Sequence, residues 1–146
     1  MERLKNSYFM LGHRWGTLKN PSTPKRDQKN KWFVPSYLFN GPSYPIFISG
    51  AGYITTQLAA KCLYKKSLNL PYFFLEDVFM GFAAENCKIP RYHCNAFHNY
   101  PIAFKDVKGT DVLWTDFHEN DKMIEMHHIV QNLTAIHPPC NTLPKL

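Results

Sequence analysis

Leu75-Glu76-Asp77-Val78-Phe79-Met80-Gly81 is the stretch around which the rest of the chain is organised. Its two adjacent carboxylates lie between the aromatic run Tyr72-Phe73-Phe74 and the first turn of a predicted apolar helix. Carboxylates are seldom placed in apolar surroundings without a partner or a chemical task, because burying their charge is costly. Acidic residues are also common in the first turn of a helix, where they complement its dipole. The stretch alone therefore leaves a capping role and a functional role open.

The residues before the acidic pair predict a strand followed by a helix. Within the stretch 44–54, an apolar run leads into the small residues Ser49-Gly50-Ala51-Gly52. These small residues indicate a tight turn or, less specifically, a ligand site. Thr55 and Thr56 can cap a helix that runs to about Lys66. Its expected buried face consists of Leu58, Ala59, Cys62 and Leu63.

The residues after the acidic pair predict a second helix and weaker elements beyond it. The helix is expected to end near Asn86-Cys87 and to bury Val78, Phe79, Phe82 and Ala83. A short aromatic-rich strand is predicted over 89–97, and a short helix over 122–131. The class is therefore α/β, in a chain of 146 residues that is long enough for one ordinary domain core.

Positive charge is concentrated at the start of the chain. Residues 1–31 contain eight Lys and Arg against Glu2 and Asp27, whereas 32–146 contain nine residues of each sign. This basic, proline-containing segment is predicted to be an irregular arm or loop. It could meet phosphates, or it could be a solvated tail.

The four cysteines and one acceptor triplet point weakly toward the secretory pathway. Cys62, Cys87, Cys94 and Cys140 include no CxxC pair, which argues against a zinc site, and they allow three two-bridge pairings. Asn132-Leu133-Thr134 is an acceptor triplet for N-glycosylation. No apolar run approaches the roughly 18 residues of a membrane span, and the first residues have no apolar signal core.

The order and spacing of several short motifs resemble the beta-1,3-galactosyltransferase and beta-1,3-N-acetylglucosaminyltransferase family, to which the fringe enzymes are more distantly related. Pro24-x-Arg26 precedes these motifs and resembles the P-x-R of that family. The motifs are Lys31-Trp32-Phe33-Val34, Tyr44-Pro45, Ser49-Gly50-x-Gly52-Tyr53, Leu75-Glu76-Asp77-Val78 and Gly81. The resemblance covers about residues 12–90 closely and 91–130 loosely.

The resemblance implies the C-terminal part of a Rossmann-like glycosyltransferase fold of the GT-A type, with an incomplete sheet and flanking helices. It divides the chain into a basic arm (1–30), the C-terminal half of a transferase domain (31–131) and a loose tail (132–146). The implied activity is that of an inverting hexosyltransferase, which moves galactose or an N-acetylhexosamine from a UDP-sugar to a hydroxyl of a glycan on protein or lipid. Members of the family are typically anchored in the Golgi membrane and face the lumen.

The resemblance also assigns roles to individual residues. Asp77 falls on the catalytic base, and Glu76 on the acid that precedes it. His118 resembles a C-terminal histidine element of the family and is a candidate metal ligand. Asn132 is a candidate glycosylation site because of its acceptor triplet, independently of the resemblance. The expected donor-binding residues are Ser49, Gly50, Gly52, Tyr53, Lys31 and Trp32.

The chain departs from the family pattern in one important respect. Relatives hold the leaving diphosphate with a divalent cation, commonly Mn²⁺, on a D-x-D motif upstream of the Lys-Trp step. The acidic residues of 1–30 are Glu2 and Asp27 alone, and they do not form such a motif. Ile48 and Ala83 stand where many relatives have cysteines. These departures lead us to expect a truncated or degenerate transferase that carries the base without the metal site and without a membrane anchor.

Two main functions follow from these observations. One is a UDP-sugar beta-1,3-glycosyltransferase with Asp77 as its base. The alternative is a non-catalytic fragment that binds a glycan or a protein partner through its aromatic surface. Nucleic-acid binding through the basic arm is a third and weaker option, and no nucleic-acid partner is expected.

Overall fold

A computed structural model describes residues 7–100, together with Asp121 and Ile124. It shows strands β1 (Met10–Trp15) and β2 (Phe47–Thr55), helices α1 (Gln57–Ser67) and α2 (Glu76–Asn86), and strand β3 (Arg91–His93). The three strands form one sheet in the order β2-β1-β3, in which β1 is antiparallel to β2 and parallel to β3. The structure therefore confirms the α/β class, as a small mixed sheet with two helices.

The central strand of this sheet lies in the segment that was predicted to be an irregular arm. That prediction is wrong for Met10–Trp15, because Met10 is buried in the cluster beneath the helices while Phe9 and Leu11 are buried in a second cluster. Successive side chains of β1 thus lie on opposite faces of the sheet. The prediction failed because the lysines and arginines around the strand made the segment polar overall, although it contains this short apolar run. The division of the chain at residues 30 and 131 stays a prediction.

Strand β2 contains a wide bulge where the sequence predicted a tight turn. Gly12 of β1 pairs with Tyr53, whereas Arg14 pairs with Ile48. Residues 49–52 therefore lie opposite His13 alone, and they stay within the strand. The turn prediction is wrong because an insertion into an antiparallel pair can be absorbed as a bulge without ending the strand.

Helix α1 begins as predicted, and one residue of its expected buried face is exposed. Thr56 is the N-cap, and its Oγ1 accepts hydrogen bonds from the backbone N–H groups of Ala59 and Phe9. Ala59 and Leu63 are buried, but Leu58 is 40% exposed. Leu58 precedes Ala59 by one position and therefore points about 100° away from the inward stripe.

Helix α2 packs closely on β2. A Cβ atom at Gly81 would lie 2.7 Å from the Cβ of Phe47, so the helix can approach the strand only with glycine there. Val78, Ala83 and Ala84 are buried, while Phe79 and Phe82 are partly buried against the aromatic cluster around Phe73. Ile48 and Ala83 lie in one apolar cluster.

A disulfide joins the two helices and resolves part of the cysteine pairing. It links Cys62 in α1 to Cys87 at the end of α2, with 6.1 Å between the Cα atoms. This separation is typical of disulfides in folded proteins. The bond fixes the end of α2 against α1, while the other end of α2 carries the acidic pair.

The strand predicted over 89–97 is shorter in the structure and comprises Arg91–His93. Cys94, Ala96 and Phe97 instead pack against Phe9 and Leu11 on the face of the sheet that the helices leave free. The predicted helix over 122–131 lies outside the described residues except for Ile124, which is helical. Cys140 and the tail over 132–146 also lie outside them. No helix among the described residues is long and apolar enough to cross a membrane.

Candidate active site

The acidic pair at the start of α2 faces the glycine of the β2 bulge. The backbone N–H of Gly50 donates to Oδ2 of Asp77 at 3.4 Å. A Cβ atom at position 50 would lie 3.0 Å from Oε2 of Glu76 and 3.5 Å from the Cβ of Asp77. Glycine at position 50 is therefore explained by the close approach of the two carboxylates, and its backbone does not adopt a left-handed conformation.

Asp77 combines a helix-terminal position with partial burial. Its Oδ1 accepts a hydrogen bond from the backbone N–H of Val78 at 2.8 Å, while the N-cap residue Leu75 makes no side-chain capping bond. Burial raises the pKa of Asp77 above its ordinary value, and the N–H groups of Val78 and Gly50 act in the opposite direction. The capping and functional roles of Asp77 are thus compatible, because only Oδ1 accepts a hydrogen bond from the backbone of the first helical turn.

Glu76 has a different environment from its neighbour. The hydroxyl of Tyr53 donates to Oε1 of Glu76 at 3.5 Å. Burial raises the pKa of Glu76, the charge of Asp77 raises it further, and the bond from Tyr53 lowers it. Burial and the charge of Glu76 also raise the pKa of the Tyr53 hydroxyl. Tyr53, predicted to bind the donor, therefore contacts the acidic pair directly.

The remaining predicted donor residues occupy two other positions. Ser49 is buried, and Gly52 lies in the bulge with its carbonyl oxygen toward Gly12. The Nζ of Lys31 lies 4.2 Å from the centre of the Trp32 ring, which is 52% exposed. Within the described part of the chain, no hydrogen bond or ion pair links Lys31 or Trp32 to the acidic pair. His118 and Asn132 lie outside the described residues.

Arg26 organises the loop that carries the Lys-Trp step, a role that the sequence did not assign to it. Its guanidinium donates to the backbone carbonyls of Val34 and Phe39 at 2.7 Å each, and to that of Gly41 at 3.4 Å. Val34 belongs to the same apolar cluster as Val78 in the first turn of α2. The spacing Pro24-x-Arg26 was the available signal, but it did not reveal which carbonyls the side chain would reach.

Three histidines meet beside the sheet, although His13 is far from His93 and His98 in the sequence. The rings of His13 and His93 are 5.1 Å apart, and burial together with the charges of His93 and His98 lowers the pKa of His13. Among the described residues, no group of three or more His, Cys, Asp or Glu side chains is arranged to hold a metal ion. The candidate metal ligand His118 lies outside these residues, so the expectation of a Mn²⁺ site stays a prediction.

A family model described as Galactosyltransferase matches residues 5–95, a range that includes β1, the β2 bulge and the acidic pair. The chain belongs to the galactosyltransferase family. Its match to Beta-1,3-galactosyltransferase 1 of human and of mouse is 35% identical over 81 residues, which are 56% of this chain and 25% of each relative. Human Beta-1,3-galactosyltransferase 2 is 26% identical over 132 residues, 88% of this chain and 30% of the relative.

The match covers only a limited part of each galactosyltransferase relative. The chain spans less than a third of the length of the relatives named above. The matched range nevertheless contains both elements that build the site, β2 and α2. Two shallow surface depressions, of about 450 and 470 Å³, lie elsewhere, near Thr17 and Ile46, and neither is lined by the acidic pair. The candidate site is therefore defined by the acidic pair and its hydrogen-bond partners.

Proposed function

We propose that this galactosyltransferase-family chain is the C-terminal part of an inverting UDP-sugar beta-1,3-glycosyltransferase, of GT-A type, in which Asp77 is the general base. The donor sugar would be galactose or an N-acetylhexosamine, and the acceptor a hydroxyl of a glycan on protein or lipid. The observation that carries the proposal is the half-buried carboxylate of Asp77, held against the N–H of Gly50 at the first turn of α2.

The two oxygens of Asp77 are suited to different tasks. Oδ1 is bound at 2.8 Å by the N–H of Val78, whereas Oδ2 has a longer contact of 3.4 Å with the N–H of Gly50. Oδ2 is therefore the oxygen more readily available to accept a proton from an acceptor hydroxyl. In an inverting reaction, that proton is taken as the hydroxyl attacks the anomeric carbon and UDP leaves from the opposite face. The raised pKa of Asp77 makes its carboxylate a stronger base.

Glu76 contributes charge and shape to the same site. Its carboxylate is adjacent to Asp77, and its Oε1 accepts from the Tyr53 hydroxyl. We infer that the bond from Tyr53 holds Glu76 aside, so that Asp77 faces the acceptor. Tyr53 thus acts as a positioning residue on this proposal.

A divalent cation, Mn²⁺ by resemblance, would neutralise the leaving diphosphate when it is bound. The described residues do not form a site for this cation. We propose that a D-x-D motif upstream of the Lys-Trp step supplies its ligands in the longer protein.

The proposed location is the lumen of the Golgi, where the enzyme would be membrane-anchored. The Cys62–Cys87 disulfide supports this location, because such bonds persist in secretory compartments and are rare in the cytosol. The Asn132-Leu133-Thr134 triplet is consistent with the same route.

The test is sugar transfer by the longest natural form that contains this chain. UDP-galactose and UDP-N-acetylhexosamines are supplied with a panel of glycan acceptors. Loss of general-base catalysis in Asp77→Asn should lower turnover about 10²- to 10⁴-fold. Glu85→Gln, an exposed substitution on the same helix, is the matched control and should leave turnover unchanged. Unchanged turnover in Asp77→Asn contradicts the assignment of the base.

The binding-module alternative makes a different prediction for the same protein. It predicts glycan binding without donor-dependent transfer, and no metal-dependent affinity for a UDP-sugar. Titration calorimetry with a UDP-sugar and Mn²⁺ separates the two functions. No observation on the described residues favours the binding module.

A further inference from the structure

The ring of His93 completes the pairing of β1 with β3 at the residue where β3 ends. Along this edge of β1, the N–H of Met10 and the carbonyl of Gly12 bond to backbone groups of the neighbouring segment. The next N–H on the same edge belongs to Arg14, because alternate residues of a strand direct their backbone groups to the same neighbour. This N–H donates to Nδ1 of His93 at 3.1 Å. A side chain thus takes the place of a strand carbonyl.

This hydrogen bond fixes the protonation state of the His93 ring. A ring nitrogen accepts an N–H only when it carries no proton of its own, so Nδ1 is unprotonated. The single proton of the neutral ring is then on Nε2, which lies 2.7 Å from Oδ1 of Asn95. Both ring nitrogens of neutral His93 therefore match their partners. In the charged form Nδ1 is also a donor, and it would face the N–H of Arg14 donor to donor.

The neighbouring histidines oppose a positive charge at this position. The rings of His13 and His93 are 5.1 Å apart, so two charged rings would repel each other. Burial lowers the pKa of His13, and the charges of His93 and His98 lower it further. The carbonyl of Phe97 acts in the opposite direction. Acidification therefore places like charges close together on this face of the sheet.

The other charged groups on the surrounding strands do not supply a free carboxylate. The guanidinium of Arg14 donates to the carbonyl of Arg91 at 3.4 Å. Arg91 in turn forms an ion pair with Glu85. Strand β2 and the segment 94–98 contain no Asp, Glu, Lys or Arg, and the ionisable side chain of β2 is that of Tyr53. Within the described part of the chain, the sequence of these strands thus offers no acid to balance a charged His93.

The N–H of Arg14 lies at the position where the pairing of β1 with β2 changes register. Arg14 pairs with Ile48, the last residue of β2 before the bulge. Two groups that hold the acidic pair, the N–H of Gly50 and the hydroxyl of Tyr53, belong to the bulge and to the residue after it. The bulge is formed against β1, and the bond to His93 fixes β1 from its other edge.

We propose that His93 is a positioning residue for the acidic site and that it acts only in its neutral form. Protonation of Nδ1 breaks the bond from Arg14, loosens β1 at the change of register, and releases the bulge from Asp77. Histidine gains its charge as pH falls, so the site is assembled at neutral pH and loosens on acidification. This inference goes beyond the proposed function, because it concerns the shape of the site and holds whichever reaction Asp77 serves.

Hydrogen–deuterium exchange of the longest natural form that contains this chain measures the loosening. Protection of the peptides over 10–15 and 47–55 is compared between about pH 8 and about pH 5, after correction for the intrinsic exchange rate at each pH. Loss of a hydrogen bond that leaves its donor unpaired should lower this protection about tenfold at the acidic end. Exchange does not require sugar transfer, so the outcome is separate from that of the transfer assay.

His93→Asn keeps an acceptor at the same position of the side chain. Its Oδ1 can accept the N–H of Arg14 and is not protonated in this pH range. Protection in this variant should therefore be about the same at both pH values. Asp77 and Glu76 are unchanged in it, so their own titration does not account for a difference from the native protein.

The matched control is His98→Asn, which removes a histidine of the same cluster and leaves the bond between Arg14 and His93 in place. It should keep the acid-induced loss of protection. The α1 peptide over 57–67 reports folding, and its protection should be equal in all three proteins at each pH. Equal pH dependence in the native protein and His93→Asn overturns the proposal, and so does a native protein whose protection does not fall on acidification. If His98→Asn abolishes the loss as fully as His93→Asn, the assignment to His93 is overturned.

Discussion

Removing the disulfide between the two helices should cause a large and measurable loss of stability. The bond joins Cys62 to Cys87 across 25 residues of sequence. A cross-link that closes a loop of this length lowers the entropy of the unfolded chain by an amount worth about 3.5 kcal/mol at 25 °C. Cys62→Ala combined with Cys87→Ala should therefore lower the free energy of unfolding by about that amount. The bond also holds α2 in place, so the acidic pair should become more mobile.

Urea denaturation of the oxidised proteins measures this effect. With a slope of about 2 kcal/mol/M, the midpoint should fall by about 2 M in the double variant. A single Cys62→Ala should cost nearly as much as the double variant, because either substitution opens the loop. Under reducing conditions the native chain and the double variant should converge. Midpoints that agree within about 0.3 M under oxidising conditions would refute the loop-closure argument.

Three further predictions concern the packing and charges of the site. Gly81→Ala should destabilise the chain by roughly 1–3 kcal/mol in urea denaturation, because its Cβ would crowd Phe47, although alanine normally favours a helix over glycine. Arg26→Ala should speed hydrogen exchange in the 34–41 loop, since three carbonyls lose their donor; unchanged exchange there would contradict its role. The raised pKa values of Asp77 and Glu76 mean that the folded chain holds more protons than the unfolded chain above the ordinary carboxyl range. The two carboxyl groups therefore contribute a stabilisation that is fully present below the ordinary carboxyl pKa range. This contribution is lost as pH rises through their raised pKa values in the folded chain. Asp77→Asn should therefore reduce the fall in unfolding free energy between about pH 4 and pH 7, and an unchanged pH dependence would argue against the raised pKa.

The two helices could be predicted from the sequence because their signals are local. Thr56 is followed by a helical stripe that includes Ala59 and Leu63, and the structure has the cap and the stripe where they were expected. Leu58 was assigned to the wrong face because apolar character alone does not fix the phase of a helix. The acidic pair lies in the first turn of α2, as its position before an apolar helix indicated.

Strand β1 shows why local signals were insufficient elsewhere. Its six residues become a central strand only because β2 pairs with one edge and β3 with the other, at positions tens of residues away. The bulge likewise depends on a register between Gly12 and Tyr53 that no short window contains. The meeting of His13 with His93 has the same cause.

The amino-acid sequence alone was enough to identify the family, the two helices and the carboxylates proposed for catalysis. These features depend on short motifs and on the 3.6-residue period of a helix. The difference between the two carboxylates became visible in the folded chain: Asp77 is held by the N–H groups of Gly50 and Val78, and Glu76 by the hydroxyl of Tyr53. The physical reason is that burial and hydrogen bonding depend on which distant segments approach. That approach is set by sheet pairing, by the space left at Gly50, and by the disulfide between the helices.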